Sequence, residues 1–280
     1  MLGGLKAAIR PVYRRLGLEE RRRRFGKRRA RFDRVLRDYI AAHPMSRAGI
    51  ADENLATLAR DGIVVFPSFH ERATILELRD RLLPMLEAVR RNEAPARWRT
   101  LRYAEDGVYR LLDARHELLA LGPILDNALF SDLARSYLGA IRQSSHYVDY
   151  KADLVHDHTT QLHMDSWQSQ VKVFTLLSDV GPANAPFVYW IGSHRDAAWR
   201  RRFDHLFWTG DEVGIAGVVP ISVMREVAAS ASPPPVREFE FTAPAGSVVV
   251  ADTRGIHRAT SLREGYRLEL VQKFTAPVLV

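Results

Sequence analysis

The chain has 280 residues, 46% of them apolar and 26% charged, proportions that suit a protein with a sizeable core and exclude wholesale disorder or a collagen-like chain. It has no cysteine, so disulfide scaffolds, thiolate zinc sites and cysteine nucleophiles are excluded together, and any metal must be held by His, Asp or Glu. The net charge of +8 is uneven: residues 1–45 hold 14 Lys or Arg against 4 Asp or Glu, a local net of +10 that leaves −2 for the rest.

Attraction to phosphates or anionic lipid therefore belongs to that arm, residues 1–45, and not to the body of the protein, residues 46–280. In the arm, Phe25, Phe32, Leu36 and Tyr39 recur at helical spacing with arginines around them, which predicts a basic amphipathic helix. Such a helix either docks its apolar stripe on the main domain or meets an anionic membrane surface. Nucleic acid is not the expected partner, because the aromatic-basic interleaving of a nucleic-acid module is missing. No apolar run reaches the roughly 18 residues of a membrane span. Lys6 and Arg10 interrupt Met1–Tyr13, so a signal peptide is not expected and cytoplasmic residence is, with peripheral membrane contact through the arm.

Further along, Gly62-Ile-Val-Val-Phe-Pro67 predicts a short strand, and Ile75, Leu78, Leu82, Leu86 and Val89 predict a helix with one apolar face, kinked at Pro84. A second helix is predicted from Ser131, as cap, to Leu138, stopped by Gly139. From about residue 144 the pattern changes to short alternating runs: 145–151, 170–178, 187–191, 236–242, 247–252 and 266–275, separated by Gly, Pro, Asn and Asp. Short strands punctuated in this way predict a β-sandwich or barrel. Residues 195–235 interrupt the series with an aromatic-rich stretch (Trp199, Phe203, Phe207, Trp208) and are a candidate lid or an inert insertion.

His163-Met-Asp165 sets an imidazole and a carboxylate two residues apart, so on a strand both leave the same face. His257, just after the run Gly246-Ser-Val-Val-Val-Ala-Asp252, is the candidate third ligand. Two histidines and one carboxylate leave open positions on an octahedral Fe(II), as needed where a co-substrate and O2 both bind the metal. The triplet alone is a weak signal in a chain with ten histidines.

The frame around it is more specific. Gln161-Leu-His-Met-Asp165, then Asn184-Ala-Pro-Phe-Val-Tyr-Trp-Ile-Gly-Ser-His194-Arg195, then Gly246 to His257 followed by Arg267, resembles the phytanoyl-CoA dioxygenase family of Fe(II)/2-oxoglutarate oxygenases in order and spacing. The resemblance spans about residues 50–275 and excludes the arm. It implies a mainly β fold with flanking α-helices, a double-stranded β-helix of the jelly-roll, cupin-like kind. It further implies iron held by His163, Asp165 and His257, and 2-oxoglutarate and O2 as co-substrates. Arg267 matches the arginine that grips the far carboxylate of 2-oxoglutarate, a role suited to a guanidinium fork. Alternation places Arg267 with Glu269, Val271 and Lys273, opposite Leu268, Leu270 and Phe274; a solvent-facing strand is the competing explanation. Thr160 and Thr260 match weaker co-substrate positions, and Thr260 stands one residue later than the serine many relatives carry. The resemblance implies hydroxylation of an unactivated C–H bond in a small-molecule or lipid-linked substrate. Halogenation is disfavoured because related halogenases lack the carboxylate that Asp165 provides.

His156 and His158 have no following Glu to complete a cupin site and are expected in a loop or at the substrate. His194 is expected to be structural, Trp167 to be core or pocket lining, and Asp252 to accept a hydrogen bond from a ligating imidazole. A non-catalytic jelly roll that uses its basic arm on membrane or nucleic acid is the alternative function; the complete set of four residues argues against it.

Overall fold

The computed structural model describes residues 52–104, 107–141, 143–153, 162–165, 170–195 and 237–276. The expectations for the basic arm, for Thr160, His156, His158 and Trp167, and for nearly all of the 195–235 insertion lie outside the described residues.

In chain order the elements are α1 (Asp52–Asp61), β1 (Ile63–Phe66), α2 (Arg72–Arg90), β2 (Thr100–Tyr103), β3 (Val108–Leu112), a short α3 (Gly122–Leu125), α4 (Ala128–Leu138), β4 (Gln143–Lys151), β5 (Gln170–Leu176), β6 (Phe187–Trp190), β7 (Glu238–Phe241), β8 (Val248–Asp252), β9 (His257–Ala259) and β10 (Arg267–Thr275). Seven strands form one antiparallel sheet in the order β1-β8-β5-β10-β4-β3-β2, and three form a smaller one, β7-β6-β9. The two sheets face each other as the double-stranded β-helix, the jelly roll the sequence predicts.

Each face of the large sheet has its own covering. On the outer face, Leu268 and Leu270 of β10 and Val148 and Tyr150 of β4 meet the buried stripe of α2, formed by all five residues that the helical periodicity picks out. Each such side chain stabilises the fold by about 1.5–3 kcal/mol through apolar burial. Helix α2 runs on through Pro84 to Arg90. Further along the outer face, Val171, Val173, Val248 and Val250 pack under α1 and α4. On the inner face, Phe174, Leu176, Val249 and Val271 meet Phe187 and Tyr189 of the small sheet. The rings of Phe174 and Phe187 lie 4.9 Å apart.

Two local expectations are corrected. Helix α4 begins three residues before Ser131, because the Asn127 side chain accepts a hydrogen bond from the Leu129 N–H at 3.0 Å and caps it there. Ser131 lies inside the helix and donates to the Ala128 carbonyl. Strands β2, β3 and β9 lie outside the predicted runs, and β2 and β3 form one end of the large sheet.

Candidate metal centre

His163 and Asp165 do not lie on a strand, as the sequence spacing suggested. They sit on a short segment that touches β9 through a single bridge: the His163 N–H donates to the His257 carbonyl at 2.8 Å and the His257 N–H returns a bond at 2.9 Å. The Asp165 N–H donates to the Thr253 carbonyl at 3.1 Å, which pins the segment a second time. The alternation survives without a full strand. Leu162 and Met164 are buried, which turns His163 and Asp165 together towards His257. The ligand atoms of the three residues all lie within 4.8 Å of one another, and the two imidazole rings are 4.5 Å apart. Oxygen and nitrogen donors this close form a set that fits an octahedral Fe(II) or a similar divalent ion.

His257 is buried, and its Nδ1 lies 2.8 Å from the Gly255 carbonyl, which fixes the ring and leaves Nε2, 3.7 Å from Asp165 Oδ2, facing the centre. Asp252, expected to hold an imidazole, does something else. Its carboxylate is clamped by the Arg254 guanidinium and accepts a bond from the Tyr137 hydroxyl at 2.7 Å, while the backbone carbonyl of Gly255 takes the orienting role. His194 is structural as expected, with Nε2 3.0 Å from the Ala59 carbonyl.

Burial pushes the His257 imidazole down to about 3, with the neighbouring His163 acting in the same direction, so it is neutral and able to ligate. Burial would raise the Asp165 carboxyl, but Lys172, His257 and His163 outweigh it and hold the carboxyl well below the usual carboxylate range. The Lys172 ammonium lies 2.8 Å from Asp165 Oδ2 and was missed in the sequence. The available signal was alternation: in Gln170–Leu176, Lys172 shares its face with Gln170, Phe174 and Leu176, the one charge in that row.

Arg267 and Glu269 are buried, 8% and 4% exposed, which removes the explanation of a solvent-facing strand. The Arg267 guanidinium donates to the Ala185 carbonyl and pairs with Glu269 Oε1 at 3.2 Å. Asp149 and Lys151 of β4 stand directly opposite them, and Arg110 of β3 forks onto Asp149 at 3.0 and 3.1 Å. Burial pushes the Glu269 carboxyl above its ordinary value, Arg267 pulls it down and Asp149 adds to the rise. The Thr260 N–H donates to the Pro186 carbonyl, next to the Ala185 carbonyl that Arg267 reaches, and Thr260 Oγ1 is buried with no hydrogen-bond partner among the described residues.

No protein-family description matches the chain, and no curated protein matches it. Solved structures do resemble it in fold. The chain superimposes on the epimerase SnoN in complex with Fe3+, alpha ketoglutarate and nogalamycin RO with a TM-score of 0.56 at 14% identity, covering 80% of this chain and 83% of that one. For the alpha ketoglutarate dependent carbocyclase SnoK from nogalamycin biosynthesis the figures are 0.56, 17%, 83% and 86%. For HygX from Streptomyces hygroscopicus with nickel and 2-oxoglutarate bound they are 0.55, 16%, 83% and 89%. At these identities the likeness establishes the jelly roll as the fold and nothing further.

Proposed function

We propose that this protein is an Fe(II)- and 2-oxoglutarate-dependent dioxygenase of the phytanoyl-CoA dioxygenase type that hydroxylates an unactivated C–H bond of a small organic molecule. The observation that carries the reading is the convergence of His163, Asp165 and His257 within 4.8 Å at the edge of the small sheet, on a fold shared with structures holding iron or nickel and 2-oxoglutarate. Bound there, iron supplies the activation of O2 coupled to decarboxylation of 2-oxoglutarate to succinate.

The chain's own residues prepare that chemistry. The Gly255 carbonyl holds the His257 ring in the ligating tautomer, and Lys172 steadies the Asp165 carboxylate through its second oxygen. Arg267 offers the remaining donors of its fork to the far carboxylate of the co-substrate, and Thr260 offers its unpartnered hydroxyl. Phe187 packs against the His257 ring, centroids 5.4 Å apart, and Phe174 backs Phe187, so apolar surface adjoins this ligand and strengthens charge interactions beside it. Thr160 is retained as a third co-substrate contact, and residues 1–45 as the segment that would bring the enzyme to anionic membrane if the substrate is lipid-linked.

Asp165→Ala and His257→Ala should each abolish substrate-stimulated succinate formation while Arg267→Gln raises the KM for 2-oxoglutarate. Full activity in either ligand variant would remove the triad from the mechanism.

A further inference from the structure

The sequence has five lysines against thirty-six arginines, and two of the five lie in the basic arm. The other three, Lys151, Lys172 and Lys273, all stand on the inner face of the large sheet. Every other cationic side chain that the described residues carry, histidine aside, is arginine. Lysine is a compact point charge on a flexible stem where arginine is a flat fork, so these three positions present point charges to the inner face.

Two of these lysines form an unusual pair. Lys172 of β5 and Lys273 of β10 are direct cross-strand partners, with Ala251 and Ser145 completing the row on either side. Like charges placed directly opposite one another on a sheet are destabilising, and this row is partly shielded from water. Lys172 is stabilised by Asp165. Lys273 is half-buried and has no acidic group within 4 Å among the described residues. Burial lowers the Lys273 ammonium, Lys172 lowers it further, and Asp165 only partly offsets them, so the pair is short of negative charge. A divalent ion on Asp165 would deepen that shortage: two ammonium groups and the metal face one carboxylate, and the metal-chelating end of a 2-oxo acid supplies only one more negative charge.

We propose that Lys172 and Lys273 form an anion-binding pair beside the metal centre that receives a carboxylate or phosphate group of the organic substrate, so that the molecule oxidised here is an anion. This rests on the oxygenase reading for the word substrate, while the anion site itself stands on the lysine pair. Arg267 lies six residues along β10 from Lys273, at the far end of the inner face, so the two cationic positions serve different groups. One takes the distal end of the co-substrate and the other the substrate anion.

Calorimetric titration of the full chain with inorganic phosphate at low salt, with and without Ni(II) and 2-oxoglutarate, tests the pair. The wild type should bind phosphate in both states, and Lys273→Met should weaken that binding by about tenfold or more, the scale of one charged contact. Lys273→Met should also melt no lower than the wild type without phosphate, because it removes a like-charge neighbour, and should lose the phosphate-induced rise in Tm. Lys273→Gln gives the same comparison if the methionine variant folds poorly. Equal phosphate affinity in wild type and variant would mean an adventitious ion only and would overturn the proposal, as would a wild type that binds none. Because 2-oxoglutarate binding is read in the same samples, loss of the co-substrate site would appear separately and would leave the result for the anion pair intact.

Discussion

At the scale of single residues, the interior of this barrel is decided by which charges are neutralised locally and which await a ligand. Arg267 already has an internal carboxylate in Glu269, 3.2 Å away, and Glu269 faces Asp149 from β4, with Arg110 from β3 and Lys172 from β5 also acting on it. A co-substrate carboxylate arriving at Arg267 adds a second negative charge beside Glu269, and that favours its protonated form. Binding then takes up a proton, so 2-oxoglutarate affinity should fall as pH rises above the raised Glu269 value, by up to about tenfold per unit. Glu269→Gln should flatten that dependence, and dissociation constants measured from pH 5.5 to 8 in both proteins decide it. Parallel slopes would show that Glu269 does not titrate with binding. Much of this site was legible: spacing marks His163, Asp165 and His257 as candidate ligands, whereas Arg267 rests on the resemblance to the oxygenase family. The role of Gly255 was not, because a backbone carbonyl has no side chain to announce it, and Asp252 looked the better partner until Arg254 and Tyr137 were seen to occupy it.

At the scale of elements, β4 to β8 and β10 follow the sequence expectation closely because turn residues separate alternating apolar runs, whereas the three-residue β9 is outside it. Strands β2 and β3 escaped notice because they are four and five residues long and each contains an arginine at a position where a buried strand would carry an apolar residue. The turn between α1 and β1 is held by Gly62 at φ +80°, where an added Cβ would fall 2.3 Å from Tyr189 Oη and 2.4 Å from His194 Nδ1. Gly62→Ala should therefore cost about 1–3 kcal/mol, from left-handed backbone and crowding together. Leu82→Ala, at a fully buried position of α2 on the opposite side of the sheet from the metal centre, should cost about 2–5 kcal/mol. Urea midpoints measure both, and Leu82→Ala should leave the affinity of the folded protein for Ni(II) unchanged. A change in that affinity would show that the helical layer and the site are mechanically linked.

At the scale of the whole molecule, the inner face of the large sheet is apolar at Phe174, Val249 and Val271 and charged at Arg267, Glu269 and Lys172. This two-part character could not be read from any one segment, since it depends on the sheet order β5-β10-β4-β3. The fold also buries imidazoles. His70, His146, His194 and His257 are all held below the ordinary histidine value of 6.5, in each case chiefly by burial. A histidine with a lowered value binds its proton more readily in the unfolded chain, so folding stability is fully present above about pH 6.5 and is lost as pH falls below it. For His257 the loss runs towards about pH 3 at about 1.4 kcal/mol per unit. Glu269, raised in the fold, opposes this trend near the ordinary glutamate value. The Tm of the metal-free protein should fall between pH 7 and pH 5 and recover in part when a divalent ion occupies His163, Asp165 and His257. A flat profile would contradict burial of these rings in the neutral state.

On the proposed reading, His163, Asp165 and His257 would hold iron and 2-oxoglutarate would chelate it. Anaerobic addition of Fe(II) and then 2-oxoglutarate to the full chain tests this most directly, with His163→Ala as the control. A weak visible charge-transfer band in the wild type that is missing from the variant is the predicted result. No band from folded, iron-loaded wild type would contradict the oxygenase account and favour a jelly roll that binds through its basic arm without catalysis.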